Sequence, residues 1–301
     1  MNESMHRYFK PGLISFMAYP GTMRGEGEVI ESIRKVLVDD YFDAIEITHI
    51  ADDAVRAKAK SLLEQAHITV CYGAQPRFLT SGKNVNDLDE AKRKEAEALL
   101  LDSIDEAEYL GAKGVAFLSG KYDPDKKDEA YAQLLKTTKA ACDYAKTKGM
   151  MVELEVFDFD LDKKSLIGPA PYAAKFAAEM CTYTNNFGLM VDLSHLPQTY
   201  ETSKFAIRTM RPYITHLHIG SAVLEHGAEA FGDTHPRFGF PNGVNDVEEV
   251  ADFIKVCFEE GIYDEADPIV MSFEVKPWGD EDSDIVVANA KRVLNRAWAI
   301  V

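Results

Sequence analysis

Four short apolar runs each carry one potential metal ligand near the C-terminal end: Glu155 in Met151-Val-Glu-Leu-Glu155, Asp192 in Gly188-Leu-Met-Val-Asp192, His218 in Thr215-His-Leu-His218 and Glu274 in Ile269-Val-Met-Ser-Phe-Glu274. Any one of them alone is most often a hydrogen-bonded polar group at a strand end. Four at equivalent places are different, because several unpaired carboxylates in one small space are costly unless a cation accompanies them. Three carboxylates and one imidazole make a mixed oxygen/nitrogen donor set for one divalent metal ion. Manganese is the first expectation, with magnesium, cobalt or zinc as alternatives. Strand side chains alternate in direction, so Glu153 shares the face of Glu155, and His216 that of His218. Both lie one layer deeper, where support of the ligands is the expected role.

These residues need a scaffold that brings successive strand ends to one place. Short apolar runs alternate with longer amphipathic segments along the whole chain, the pattern of a parallel sheet built from β-α units. Strands are expected at 12–18, 44–48, 68–72, 114–118, 151–156, 188–192, 215–219 and 269–275. Helices are expected at 27–40, 53–66, 87–110, 126–148, 170–184, 201–211, 246–260 and 284–298. Asp87 and Asp246 read as N-caps, and Gly111, Gly149 and Gly261 as C-terminal stops. After the first strand, the stretch from Tyr19 to Gly27 is not the G-x-G-x-x-G turn of a doubly wound sheet. The expected fold class is therefore α/β, one (β/α)8 TIM barrel over residues 1–301. In such barrels the active site lies at the C-terminal strand ends, where the four ligand candidates fall.

Two connections on that face are longer than connectors require, 73–86 with Gln75, Pro76 and Arg77, and 220–245 with Asp233, His235 and Arg237. His235 and Arg237 are substrate-binding candidates; the alternative is a loop packed by its own aromatics. His49, just past the second strand, is an acid/base candidate because imidazole titrates near neutrality. Lys121, after the fourth strand, is a candidate for an anionic substrate. Lys276 and Trp278, after the eighth, could line a sugar pocket, the indole face giving a platform for C–H groups.

Composition narrows the function classes. With 301 residues, 46% of them hydrophobic, the chain can build one large core. A formal net charge of −17 and a pI near 4.9 repel a phosphate backbone and an anionic membrane, so neither nucleic acid nor membrane is an expected partner. Cys71, Cys142, Cys181 and Cys257 have no C-x-x-C spacing and read as reduced core residues. The first ten residues lack the apolar stretch of a signal peptide, no segment is an apolar span, and the expected location is cytoplasmic.

Leu154-Glu-Val-Phe157, the D-x-x-H of Asp192 to His195, the H-x-H of His216 to His218, and Ser272-Phe-Glu274 together resemble the strand-end motifs of the sugar phosphate isomerase/epimerase superfamily, the xylose-isomerase-like barrels. The resemblance covers nearly the whole chain. It implies a metal-dependent isomerase, epimerase or lyase acting on a sugar or sugar-like substrate by removing a proton from carbon beside an oxygen held by the ion. It also implies that Glu155 and Glu274 both bind the ion and exchange protons, and that His195 helps hold the substrate. After the seventh strand the ketose epimerases carry a substrate-binding arginine, where this chain has Leu224.

An alternative within the resemblance is the metal-binding subunit of a C-glycoside deglycosidase working with a small partner subunit. The implied assembly is a homo-oligomer, or in that alternative a hetero-oligomer. A further alternative is an apurinic-endonuclease-like metal hydrolase. It wants three zinc ions and extra histidines, which the eight histidines spread along this acidic chain do not supply. A barrel that has lost its chemistry would not be expected to keep all four ligand candidates.

Overall fold

The computed structural model describes residues 3–301. Eight parallel strands, β1 (Phe9–Ile14), β2 (Ala44–Ile47), β3 (Thr69–Gly73), β4 (Gly114–Leu118), β5 (Met151–Glu155), β6 (Phe187–Asp192), β7 (Ile214–Gly220) and β8 (Ile269–Glu274), form a closed barrel in sequence order. Closure is made by β8 against β1, with Gly12 opposite Ser272. Outward-facing Leu13, Ile45, Phe117, Leu154, Leu217 and Phe273 are buried against the helix layer, where Ile33, Leu100, Leu134, Phe176, Phe253 and Leu294 meet them.

The expected strands match within one or two residues except the first. β1 starts at Phe9 and ends at Ile14, and Ser15–Ala18 turns into a short helix. The Ser15 hydroxyl donates to the Glu46 carbonyl at 2.8 Å, which anchors that turn against β2, so an apolar run that looked like one strand divides between two elements. The outer helices stand at Val29–Leu37, Asp53–Ala66, Glu90–Tyr109, Lys127–Lys146, Ala170–Tyr183, Ser203–Met210, Val247–Glu260 and Ser283–Ile300. Asp246 caps its helix in a reciprocal box with Glu249, and Gly261 closes it at φ 70°.

Asp87 is not the cap of the third long helix. Asp89 is, accepting from the Ala91 and Lys92 amides, while Asp87 accepts from the Asp89 amide one step earlier. The long connection after β3 contains a helix of its own, Gln75–Ser81. The one after β7 forms no helix and folds over Val223, Ala230 and Phe240 with Trp278 packed against them. Of the cysteines, all free, Cys181 is exposed rather than in the core.

Barrel interiors are commonly filled by layers of branched aliphatic side chains. Here Glu46, Glu153 and His216 lie between the strands, and small residues make the room. A Cβ on Gly12 would meet the Ser272 hydroxyl at 2.3 Å, and one on Gly188 the Thr215 hydroxyl at 2.1 Å.

Candidate metal centre and active site

Glu155, Asp192, His218 and Glu274 each sit at or near the last residue of their strand, and the inward parity of those positions sends all four toward the barrel axis at its C-terminal end. One ligand atom from each lies within 4.8 Å of the others. Glu155 Oε2 accepts from Gln75 Nε2 at 2.7 Å, while Glu155 Oε1 is buried without a hydrogen-bond partner. Asp192 Oδ1 accepts from the Ser194 amide at 2.8 Å, and Oδ2 accepts from the Ser194 hydroxyl. His218 Nε2–H donates to Glu46 Oε1 at 3.1 Å; its Nδ1 faces Glu274 Oε2 at 3.0 Å and Glu155 Oε1 at 3.4 Å.

The electrostatics fit a cation. Burial pushes the His218 imidazole down, but Glu46, Glu155 and Glu274 overcome this and raise it well above its ordinary value. Burial, with the like charges of Glu155 and Asp192, raises Glu274 against the pull of His235 and His218. Asp192 is held low: burial opposes, and His195, His235 and His218 together prevail. Three carboxylates, one of them with an orphaned buried oxygen, and one imidazole nitrogen suit manganese, magnesium, cobalt or zinc.

A second group lies beside the first. Asp233 Oδ1 is 3.1 Å from His195 Nε2, 3.0 Å from His235 Nε2 and 2.9 Å from Gln198 Nε2, and its Oδ2 is 2.8 Å from Lys163 Nζ. Against burial, His235, His195 and Lys163 hold Asp233 well below the usual carboxylate range. His195, His235 and Asp192 also approach within 4.8 Å of one another. Here a lysine ammonium already fills the cationic role, so the O3N set is the better-matched metal site.

A cavity of about 210 Å³ is lined by three of the four ligand candidates, Glu155, His218 and Glu274, with Asp192 buried behind them. Glu46, Gln75, Lys163, Asp233, His235 and Lys276 give it polar groups, while Phe16, Met17, Met23, Leu79 and Phe157 form an apolar wall. His235, expected to bind substrate, is among those polar lining groups, with Nε2 3.4 Å from Glu274 Oε1. His195 stands behind the lining: its Nδ1–H donates to the Val156 carbonyl at 2.7 Å, and its ring packs on Phe157 with centroids 4.4 Å apart.

Four other sequence candidates lie outside the cavity. His49 pairs with Glu106 on the Glu90–Tyr109 helix at 2.7 Å. Arg237 pairs with Glu281 at 2.7 Å. The Trp278 indole donates to Glu229 at 2.6 Å. Lys121 bridges to Ser165 in a neighbouring cavity. In the first three cases an acidic partner, abundant in this chain, takes the group that was expected to face substrate.

Sequence reasoning passed over Glu46, Lys163 and Ser194. Glu46 carried the same signal as Glu155, a carboxylate in the apolar run Ala44-Ile-Glu-Ile47. Lys163 carried none: the loop that delivers it is organised by Asp158, whose carboxylate accepts from the Leu161, Asp162 and Lys163 amides.

Residues 37–256 match the family model described as xylose isomerase-like TIM barrel. No curated protein sequence matches at a significant level. Among solved structures, a D-tagatose 3-epimerase-like protein superposes with a TM-score of 0.71 at 18% identity, covering 97% of this chain and 99% of that one. D-psicose 3-epimerase from Clostridium cellulolyticum H10 gives 0.67 at 19%, with 97% and 96% covered. The 3-keto-D-glucoside 4-epimerase of E. coli gives 0.66 at 14%, with 95% and 99% covered. At such identities these likenesses concern the fold, whereas the family match extends over most of the barrel. The chain belongs to the xylose isomerase-like TIM barrel family.

Proposed function

We propose that this protein is a divalent-metal-dependent sugar isomerase or epimerase, with Glu155, Asp192, His218 Nδ1 and Glu274 holding the ion. The convergence of those four groups at one end of the barrel carries the reading. A divalent ion there supplies Lewis acidity, which makes a C–H beside a substrate oxygen removable.

The protein's own groups do the rest. Glu155, fixed through Oε2 by Gln75, and Glu274, raised by burial, are the carboxyl pair: one takes the proton from one face of the carbon, and the other delivers a proton to the opposite face. Lys163, Lys276, His235 and Gln75 provide donors for sugar hydroxyl and carbonyl oxygens. The apolar wall of Phe16, Met17 and Phe157 excludes water and packs against C–H faces. No arginine lines the cavity, consistent with Leu224 standing where the ketose epimerases carry theirs. The names of the fold neighbours, a D-tagatose 3-epimerase-like protein, a D-psicose 3-epimerase and a 3-keto-D-glucoside 4-epimerase, suggest which sugars to try first.

The test is metal analysis of the purified protein, followed by incubation with D-tagatose, D-psicose, D-fructose and a 3-keto-glucoside in heavy water, with and without chelator. Conversion with deuterium at the carbon beside the carbonyl, abolished by chelator and restored by Mn²⁺, is the expected result. Conversion that survives complete metal removal would contradict the proposal.

A further inference from the structure

We infer that Glu46, in β2, is a positioning residue for the metal centre, fixing the tautomer and tilt of His218 through an oxygen that it shares between two histidines. This rests on the reading of His218 as a metal ligand. Glu46 is only 2% exposed, and its Oε1 takes Nε2–H from His218 at 3.1 Å and from His216 at 2.9 Å. With a proton committed to Nε2, Nδ1 is the nitrogen left facing Glu155 and Glu274, so the carboxylate selects which side of the ring is offered to an ion.

The His216 ring stands edge-on to His218, centroids 5.1 Å apart and planes at 86°, and so resists rotation of the ligand ring. From below, Glu153 Oε2 lies 3.4 Å from His216 Nδ1, while Glu153 Oε1 accepts from the Thr215 hydroxyl at 2.8 Å. The backing of the centre is therefore a stack of alternating carboxylates and imidazoles along the barrel axis. A cavity of about 690 Å³ at the other end of the barrel reaches Glu153 and His216, and the cavity above reaches Glu46 and His218. The Glu46–His216 hydrogen bond joins the two linings, so a change at Glu46 is felt on both sides of it.

The experiment measures Mn²⁺ affinity by chelator competition, and the visible spectrum of the Co²⁺-loaded protein, for wild type, Glu46→Gln and Glu46→Leu. The amide keeps the volume and one acceptor but loses the charge; leucine loses both. Binding is expected to weaken roughly tenfold for Glu46→Gln and roughly a hundredfold for Glu46→Leu. The Co²⁺ spectrum should change in both, with the helical circular dichroism retained, because a packing defect alone would not alter ligand geometry. Affinities within about twofold of wild type and an unchanged spectrum would overturn the inference. Should Glu46→Leu not fold, Glu46→Gln decides by the same two readings. Failure of wild type itself to bind either ion would overturn the metal centre and this inference with it, whereas wild-type binding indifferent to Glu46 would overturn the inference alone.

Discussion

At the residue scale, the two candidate proton-transfer groups are separable from the ligand role that they share. Replacing Glu155 or Glu274 by Gln keeps an oxygen for the ion but removes the basic lone pair. Turnover on any sugar that the native protein converts should fall by roughly two to four orders of magnitude. Metal affinity should fall far less, and titration calorimetry with Mn²⁺ separates the two effects. Near-native turnover in both variants would remove proton transfer from these residues.

The four ligand candidates were legible because each is a polar group inside an apolar run, and the parity of a strand says where it points. Glu46 obeys the same rule, a carboxylate in the apolar run Ala44-Ile-Glu-Ile47 of β2. His49, Arg237 and Trp278 share one feature outside the cavity. Each found a carboxylate on another element, Glu106, Glu281 and Glu229, and such long-range pairing leaves no trace in local sequence.

At the element scale, alternation of apolar runs and amphipathic segments was enough to count eight strands and name the barrel. The first strand shifted because Ile14 to Ala18 is equally apolar as strand end and as helix start; Ser15, bonded across to β2, decides. The glycines of the barrel wall carried a meaning that only the structure exposes. A Cβ on Gly188 would lie 2.1–2.8 Å from three Thr215 atoms, so Gly188→Ala should cost about 1–3 kcal/mol, read as a lower melting temperature. Gly220→Ala is expected to act on the site as well. Its Cβ would meet the Glu274 carbonyl oxygen at 2.5 Å, and backbone can yield only by moving β8 and its ligand. Weaker Mn²⁺ binding together with lower stability is the expected pair of results. A variant as stable as wild type would show that β7 and β8 can part at no cost.

At the scale of the whole molecule, the barrel concentrates buried charge along its axis inside a chain of net charge −17. Burial opposes protonation of His195, His216 and His235, yet their carboxylate neighbours raise His195 to about 10, and His216 and His235 to about 9. Each exceeds the unfolded value of about 6.5. A group whose folded pKa is raised stabilises fully below its unfolded pKa and loses that contribution as pH climbs through the folded one. The metal-free protein should therefore lose melting temperature progressively between about pH 7 and pH 9. Thermal melts in chelator across that range check it, and a melting temperature that stays level or rises would show that these histidines are neutral in the folded state. Among the described residues no helix is long and apolar enough to cross a membrane.

One divalent ion held by Glu155, Asp192, His218 and Glu274, as we propose, has a position that diffraction can locate. Anomalous diffraction from crystals grown with Mn²⁺ tests it most directly. The expected result is one strong peak at the C-terminal end of the barrel, with His218 Nδ1 and an oxygen of each carboxylate at about 2.0–2.3 Å. A peak instead between His195, Asp233 and His235, or none at the four strand ends under saturating metal, would contradict it.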